Sequence, residues 1–513
     1  MRIIALVLFL CALLTAQPPS SWDGWLAVSS FKVNGLPTAA APFAGNGGIW
    51  MLHPRLADQT PLQVTNLPAT LTGAGSSAAR IGTNSIAWMP RSPSLPSGGL
   101  AVGEISPTGS QVQLHLVSLA GVAATTLPIV VGTAVGSGTT TPFGSIDQIV
   151  VLPDPAAANL KHRLLFAIRG VNGNGFTAAS GTPLGFYTEY GVNLFPLQLT
   201  AVPAGAINAL CVSPDQTTAY FAMINSPAAG QSRIYSVPLP TTLPPAVAAG
   251  PVLLATVPHY VLSLATRTNG TLIAGLLGPT GPSTQNFALV TVPAGAVSYI
   301  SGGSYARNSV AVERFTGSIY ASREFYGPNA MDVMHRPPTG AEVKLSGGPS
   351  GGWGVVSGCA VAENPSEFGP ATSLGGAAAA FDVAWDIANS TPNTYLLPRA
   401  GAATFAVGVR GTGTFPTDGV GLVWLDFAIP PAPIVLGPPY TGLTFNVDPL
   451  TAFLQWPLTL SAATPAQLIP LPIPPATPLP SPVGAQVYLQ AALYSPSLNT
   501  YWLTEGLRIT VID

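Results

Sequence analysis

Six ionisable residues of this chain could act together as a catalytic set. They are Asp147, His259, Arg267, Arg307, Glu313 and Arg314. Each lies within or next to a short apolar segment, and these segments are predicted below to line one central channel. His259 is the best acid or base among them, because an imidazole can titrate near neutral pH. If these groups converge, they predict hydrolysis of a small ligand; if they are solvated strand ends, they have no common role.

Other motifs that resemble known sites lack the structural elements those sites need. Residues 348–352 (GPSGG) fit the pattern of a serine nucleophile, but a strand follows them where the motif requires a helix. Gly173 and Gly175 lack the third glycine and the helix of a dinucleotide site. The five histidines show no metal-ligand spacing. They are His53, His115, His162, His259 and His335. We therefore predict no cofactor and no metal.

The composition favours β-structure and excludes several classes of partner. The chain has 513 residues, of which 47% are hydrophobic and 7% charged, with 55 glycines and 54 prolines. Glycine and proline penalise helices, while Val, Leu and Ile recur in short runs that disordered chains lack. The formal net charge is −2. Because no basic stripe is present, we expect binding neither to nucleic acid nor to an anionic membrane surface.

The first residues are typical of a secretory signal peptide. MRIIALVLFLCALLTAQ has one early arginine, an apolar run over residues 3–14 and small residues before the glutamine. The run is shorter than the ~20 residues that a membrane-spanning helix needs, so we expect cleavage after Ala16. The signal peptide is thus assigned to residues 1–16. The rest is predicted to be secreted, periplasmic or on the cell surface, without membrane insertion.

An internal repeat is clearest at residues 207–223, INALCVSPDQTTAYFAM. The stretch predicts a strand, the turn SPDQ and a second strand, so Asp215 is interpreted as a turn residue rather than a catalytic group. The same order of strands recurs from residue 261 and from residue 309, with Asn-Gly and Thr-Gly at the corresponding turns. Two earlier copies are looser.

Repeats of about 40–60 residues, each a four-stranded meander, predict a β-propeller. Residues 25–30 match a second strand with no first strand before them. Residues 353–363 match a first strand with nothing to complete it. If these two segments pair, they form one split blade that closes the ring and removes an exposed edge. We predict an all-β chain with a six-bladed propeller over residues 17–363, with five or seven blades as alternatives.

Two cysteines remain after cleavage, Cys211 and Cys359. Both fall in predicted first strands, which line the central channel of a propeller, and the two strands lie on opposite sides of a six-fold ring. A disulfide needs Cα atoms within ~7 Å of each other, which this separation does not permit. We predict two separate, buried and unreactive thiols.

Beyond residue 363 the strand spacing of the four-stranded repeat ends. About eight strands separated by Pro/Gly turns follow and predict a β-sandwich over residues 364–513. The proline-rich residues 468–482 indicate an edge strand that runs into an extended linker, with recognition as a polyproline ligand as the alternative. Several aromatic residues could stack on sugars if they are exposed, although alternating strands favour a core position. They are Trp385, Trp424, Trp456, Tyr488 and Trp502.

Two segments resemble known families. SPDQTTAYFA (213–222) resembles the strand–turn–strand core of YVTN-like, TolB-like and gluconolactonase-like propeller repeats. SEFGPATS, PVGAQVYLQAALYS and GLRITVI resemble a C-terminal module of secreted planctomycete-type proteins. Residues 484–492 keep that module's pattern, whereas residues 368–372 depart from its Y-G-x-G-T-like start. The resemblance implies export and a propeller beside the module, and no established activity.

We expect an exported protein with a non-catalytic role in binding, adhesion or envelope structure, whose partner is a cell-surface protein or a glycan. The alternative is a propeller hydrolase or lactonase that acts on a small ligand at the channel mouth. Three or more ionisable side chains gathered at that mouth would favour the enzyme, and an apolar mouth would favour the binding protein.

Overall fold

Short strands joined by turns make up most of the computed structural model. The described residues are 22, 24–33, 47–54, 57–76, 78, 80–89, 92, 94–95, 98–135, 143–153, 162–172, 184–189, 193–197, 199, 206–224, 228–240, 250–267, 269–278, 283–313, 317–324, 331–337, 341–347, 354–362, 366–368, 372–373, 378–386, 405–412, 419–428, 430, 434–436, 438, 440, 443–460, 466–473, 475, 485–504 and 506–511. Among them α1 (Ala69–Thr72) is a single turn of α-helix, and no helix in these ranges could cross a membrane. The fold is nearly all β, as the composition predicts.

The chain divides into two compact units. The larger unit comprises Trp25–Ala157 and Lys161–Val361, and the smaller one comprises Met1–Gly24, Ala158–Leu160 and Ala362–Asp513.

The strands of the larger unit are β1 (Leu26–Val33), β2 (Gly48–Leu52), β3 (Leu62–Gln63), β4 (Arg80–Met89), β5 (Gly99–Pro107), β6 (Gln111–Ala120), β7 (Ala123–Ala134), β8 (Phe143–Pro153), β9 (His162–Arg169), β10 (Val171–Asn172), β11 (Leu184–Thr188), β12 (Asn193–Pro196), β13 (Ala206–Val212), β14 (Thr218–Ile224), β15 (Ser232–Pro238), β16 (Val252–Val257), β17 (Tyr260–Thr266), β18 (Leu272–Leu277), β19 (Ser283–Val290), β20 (Val297–Tyr305), β21 (Val310–Val312), β22 (Ile319–Glu324), β23 (Met331–Arg336), β24 (Val343–Gly347) and β25 (Val355–Val361). Those of the smaller unit are β26 (Ser366–Phe368), β27 (Thr372–Ser373), β28 (Ala378–Asp386), β29 (Phe405–Thr412), β30 (Gly419–Asp426), β31 (Ile434–Val435), β32 (Thr444–Phe445), β33 (Leu454–Leu460), β34 (Ala466–Pro470), β35 (Gln486–Ser495), β36 (Thr500–Leu503) and β37 (Gly506–Thr510).

The strands of the larger unit pair as antiparallel meanders of four neighbours. Within the described ranges these meanders are β25-β1-β2-β3, β4-β5-β6-β7, β8-β9-β11-β12, β13-β14-β15-β16, β17-β18-β19-β20 and β21-β22-β23-β24. Turn residues in the left-handed backbone region connect the first and second strands of the last three meanders. They are Gln216 (φ 59°), Gly270 (φ 81°) and Gly317 (φ 67°). The repeat can be recognised in the sequence because residues that tolerate a positive φ recur at these turns. The organisation is of the β-propeller type.

The N-terminal strand pairs with the strand near residue 358. Leu26 of β1 lies opposite Val361 of β25, and Val28 lies opposite Cys359. On its other side β1 pairs with β2, so β25 joins a meander whose remaining strands come from the beginning of the unit. The predicted pairing of these two segments is confirmed.

The first strands of the meanders contact one another in a closed order. β25 contacts β4, and the contacts continue through β8, β13, β17 and β21 back to β25. Apolar clusters fill the space between adjacent meanders; one of them joins Phe221 of β14 to Phe186 of β11. Stacking therefore buries faces that a single four-stranded sheet would leave in water.

The two looser copies contain strands that the sequence pattern did not indicate, and β11 is the clearest of them. It pairs with β9 through Leu184↔Ala167 and with β12 through Tyr187↔Leu194. The third strand of this meander is therefore β11, and the FPLQLT segment contributes to its fourth.

Two of the three sheets described in the smaller unit share one core, and the third is the pair β31–β32. One has the order β26-β37-β35-β30-β33 with β36 and β27 beside it, and the other has the order β28-β29-β34. Val407 of β29 and Val423 of β30 belong to the same buried cluster, as does Trp502 of β36. β34 lies at the edge of its sheet and pairs only with β29 within the described residues, which matches the edge position predicted for this proline-rich segment.

Candidate functional site

The first strands of the larger unit carry an extra residue at corresponding places. The residues that the strand register skips are Asn84 in β4, Asp147 in β8, Asn208 in β13, Leu262 in β17 and Ser357 in β25. Such β-bulges bend the strand and re-aim a side chain. In the remaining meander the aligned residue is Asn308, just before β21. We call these six residues the bulge ring.

The bulge ring surrounds a small cavity between the first strands. Four of its members line the cavity, namely Asp147, Leu262, Asn308 and Ser357. The cavity volume is about 30 Å³, which is room for roughly two water molecules. The neighbouring Ser263 is 4% exposed, and its hydroxyl has no partner among the described residues. The space suits ordered water better than an organic substrate.

Asp147 supplies the carboxylate of the bulge ring, and both of its oxygens are occupied. Oδ1 accepts hydrogen bonds from Asn84 Nδ2 at 2.9 Å and from Ser145 Oγ at 2.5 Å. Oδ2 accepts from Arg169 Nε at 2.8 Å and from Arg169 Nη2 at 2.5 Å. Four donors use the lone pairs of an ionised carboxylate. Asp147 is therefore an ion-paired structural group whose two oxygens are already occupied by protein donors.

Arg307 and Glu313 also have their own partners. Arg307 is 1% exposed, forms an ion pair with Glu342 at 2.8 Å and lies 4.9 Å from the centre of the Phe287 ring. Glu313 is 2% exposed and accepts a hydrogen bond from the Tyr320 hydroxyl at 3.4 Å. Each of these charges is neutralised or hydrogen-bonded within its own sheet interface.

His259 and Arg267 complete the described part of the predicted set. His259 packs against Tyr299 with ring centres 5.8 Å apart, and burial lowers the pKa of its imidazole. Burial, and then the charge of Arg336, lower the pKa of Arg267. Arg314 lies outside the described residues. The described residues contain no group of three or more His, Cys, Asp or Glu that could hold a metal ion.

The bulge ring was missed in the sequence, although an alignment of the repeats contains its signal. The segments NSIAW, DQIVV, NALCV, LSLAT, NSVAV and SGCAV each begin with the ring residue. Five of the six are polar, and each is followed directly by an apolar segment. The alternation of buried and exposed residues along a strand does not by itself require a polar residue at this position. The predicted set came from ionisable residues at strand ends, and Asp147, Arg307 and Glu313 each bond a different partner outside the set.

Three histidines at equivalent repeat positions, His53, His115 and His335, pack against neighbouring side chains. His115 is 1% exposed, and its Nε2 lies 3.2 Å from Glu104 Oε2. His335 stacks on Tyr320 with ring centres 5.1 Å apart. His53 meets the Trp25 ring edge to face at 5.5 Å.

Cys211 and Cys359 are separate free thiols, as predicted. Burial raises the pKa of each to about 12. Cys359 Sγ lies 3.1 Å from Ser309 Oγ. At neutral pH both are therefore uncharged and unreactive, because the thiolate is the nucleophile.

The aromatic residues considered for sugar stacking are mostly in the core of the smaller unit. Trp502 is fully buried, Trp424 is 4% exposed, and Trp456 and Tyr488 pack against buried clusters. The side chain of Trp385 lies outside the described residues.

A different aromatic group lies on the face of the larger sheet that points away from the core shared with β29. Its Tyr494 and Tyr501 are half-buried, and Tyr501 also packs against the cluster around Trp424. Register places Val420 beside Tyr494 and Tyr494 beside Tyr501, so these side chains share one face. Tyr501 lies 4.6 Å from Tyr494 and 5.3 Å from Tyr440 between ring centres. Tyr440 is 40% exposed, Val420 45% and Leu422 43%. We call these five residues the tyrosine face.

No family model and no curated protein sequence matches the chain. Among solved structures, TolB from Acinetobacter baumannii has 14% identity and a TM-score of 0.39, with 69% of this chain and 70% of that chain covered. A protein from Lactobacillus plantarum has 10% identity and a TM-score of 0.33, with coverages of 85% and 99%. A puromycin hydrolase variant complexed with PGG has 14% identity and a TM-score of 0.35; 64% of this chain is covered, but only 46% of that protein.

Proposed function

We propose that residues 17–363 form a six-bladed β-propeller and residues 364–513 a β-sandwich. Six meanders whose first strands contact one another in a closed order support the blade count. The shared core of two sheets in the smaller unit supports the sandwich. In this arrangement β25-β1-β2-β3 is the split blade, and the bulge ring encircles the channel.

On this fold we propose an exported, non-catalytic binding protein. The observation that carries the proposal is the chemistry of the bulge ring. Its described side chains are amides, a hydroxyl, an aliphatic group and one carboxylate, Asp147, whose oxygens are occupied. Amides and hydroxyls do not ionise near neutral pH, so the described residues of the bulge ring offer no free general acid or base. The apolar signal sequence supports export.

The surface best suited to a partner is the tyrosine face. It combines exposed aliphatic side chains with three tyrosines, which offer an apolar ring and a polar hydroxyl. None of its five residues is charged, and Asn499 accepts a hydrogen bond from the Tyr494 hydroxyl at 3.1 Å. A neutral glycan has the matching chemistry, with apolar ring faces and many hydroxyls. We therefore favour a neutral cell-surface glycan over a charged protein surface as the partner.

Binding of the full-length mature chain to insoluble neutral polysaccharides tests the proposal. We expect the wild type to sediment with at least one of them and Tyr494→Ala/Tyr501→Ala to remain in the supernatant. The matched control is Tyr260→Ala, on β17 of the larger unit, which should sediment like the wild type. Equal sedimentation of the double variant would reject the tyrosine face.

A hydrolase and lactonase screen on the same preparation tests the non-catalytic claim. We expect no turnover above buffer. Turnover that Asp147→Asn abolishes, with the fold intact by circular dichroism, would establish the enzymatic alternative instead.

A further inference from the structure

Two arginines lie on one side of the interface between the β17–β20 sheet and the β21–β24 sheet. Ala265 and Ile319 belong to the apolar cluster between these sheets. Arg267 follows Ala265 by two residues, and its N–H continues the strand by donating to Thr271 O at 2.9 Å. Residues two apart on a strand share a face. Arg336 lies directly opposite Ile319, so it faces the same cluster.

The carboxylates on this face are already committed to other arginines. Glu342 forms an ion pair with Arg307 at 2.8 Å and accepts a second hydrogen bond from it at 2.9 Å. Asp332, four residues before Arg336 on β23, accepts a hydrogen bond from Arg323 Nε at 3.2 Å. In the described part of this interface, Arg267 and Arg336 are therefore left without a carboxylate of their own.

Glu313, the remaining nearby acid, is on the other side of the β21–β24 sheet. It bonds the hydroxyl of Tyr320, whose ring belongs to the cluster on the opposite face. The chain segments that connect these strands, RFT at residues 314–316 and PTG at 338–340, contain no acidic residue. The sequence around the arginines thus supplies positive charge in excess.

Arg267 bears the electrostatic cost of this arrangement. Its Nε is buried and has no hydrogen-bond acceptor among the described residues. Burying a charged donor without an acceptor is unfavourable, and the charge of Arg336 adds to the effect of burial in lowering the pKa of Arg267. An anion between the two arginines would supply the acceptors and the countercharge together.

We propose that Arg267 and Arg336 form a binding site for an oxyanion of the sulfate or phosphate type. Two guanidinium groups match the oxygen geometry of such anions through paired N–H donors. The site is distinct from the tyrosine face and does not depend on a role for that surface. In an exported protein it would take a sulfate or phosphate group carried on a larger molecule, or the free ion.

Thermal unfolding of the full mature chain in sodium sulfate, sodium phosphate or sodium chloride at equal ionic strength tests this site. We expect sulfate or phosphate to raise the melting temperature of the wild type more than chloride does. Arg267→Gln and Arg336→Gln should weaken the apparent affinity at least about 10-fold. The matched control is Arg233→Gln, another arginine whose buried Nε has no acceptor among the described residues; it should keep the full response.

The effect of Arg336→Gln on the melting temperature when no oxyanion is present distinguishes a binding site from general stabilisation by salt. In low-salt chloride buffer, Arg336→Gln should melt at or above the wild-type temperature, because the substitution removes repulsion at Arg267. Arg336→Lys keeps the charge and should retain part of the sulfate response. Equal responses to sulfate, phosphate and chloride together with no response to a sulfated polysaccharide, or a full response in both glutamine variants, would overturn the proposal. A response to sulfated polysaccharide but not to free ions would assign the site to a carried group.

Discussion

Replacing Glu104 removes the acceptor of a buried hydrogen-bond network between β5 and β6. Oε1 accepts from Ser106 Oγ and from the Gln113 N–H, both at 2.7 Å, and Oε2 lies 3.2 Å from His115 Nε2. The Glu104 carboxylate is fully buried and His115 is 1% exposed. Glu104→Ala therefore leaves up to three polar groups unsatisfied in a site that water does not reach.

The magnitude follows from those groups. Each unsatisfied buried group costs about 1–3 kcal/mol, and loss of one member of a buried charged network costs about 3–5 kcal/mol in total. Glu104→Gln retains an oxygen for Ser106 and Gln113, so at most the contact with His115 is lost. We expect about 1 kcal/mol for this variant.

The loss of unfolding free energy in Glu104→Ala and in Glu104→Gln can be measured by urea unfolding of the full chain. Hydrogen exchange in peptides from β5 and β6 then shows that the loss lies in the larger unit. The control is Gln111→Ala, an exposed position at the start of β6, which should stay within about 0.5 kcal/mol of the wild type. If Glu104→Ala and Glu104→Gln were equally stable, the three hydrogen bonds would not be the source of the stability, and the reasoning would fail.

Three further predictions concern the thiols, a turn and the leader. At pH 8 a thiol reagent should label neither Cys211 nor Cys359 until urea unfolds the chain. Their pKa of about 12 exceeds that of an unfolded thiol. Their contribution to the free energy of unfolding is therefore complete below about pH 9 and is lost as pH rises towards 12. Between pH 9 and 11 the free energy of unfolding should therefore fall as pH rises. Cys211→Ala should make this fall smaller by about 1.4 kcal/mol per pH unit, measured by urea unfolding. Asp215→Ala should cost roughly 1 kcal/mol in the same assay, because Asp215 accepts from Ser213 Oγ and Thr217 Oγ1, without changing polysaccharide binding. Mass spectrometry of the exported chain should show an N-terminus at Gln17.

The strand order was largely predictable because its determinants are local. The meanders follow from apolar runs and from positive-φ turn residues such as Gly270. The shared blade follows because the repeat lacks a first strand at its N-terminal end and has an extra first strand at its C-terminal end. β11 was not recognised because its five residues follow a segment of ambiguous composition, and its pairing with β9 decides its identity.

The site was harder to predict because partner choice depends on side-chain reach in three dimensions. Asp147 meets Arg169 across a strand pair, and Arg307 meets Glu342 from another part of its meander. Composition identified these residues as unusual charges in a charge-poor chain. It did not indicate that each was neutralised, and it gave no sign that the bulges would place amides at the centre.

Closure of the ring is the claim on which the site depends, and a cross-strand disulfide tests it directly. Val28 lies opposite Cys359 in the β1–β25 ladder, and opposed strand residues have the Cα separation of a disulfide. In a chain that carries Cys211→Ser, Val28→Cys should oxidise with Cys359, so that proteolytic peptides from the two segments remain linked until reduction. Ala27→Cys, whose side chain points to the other face, should stay unlinked. A freely labelled Val28→Cys thiol in the folded protein would contradict the closed ring and the channel within it.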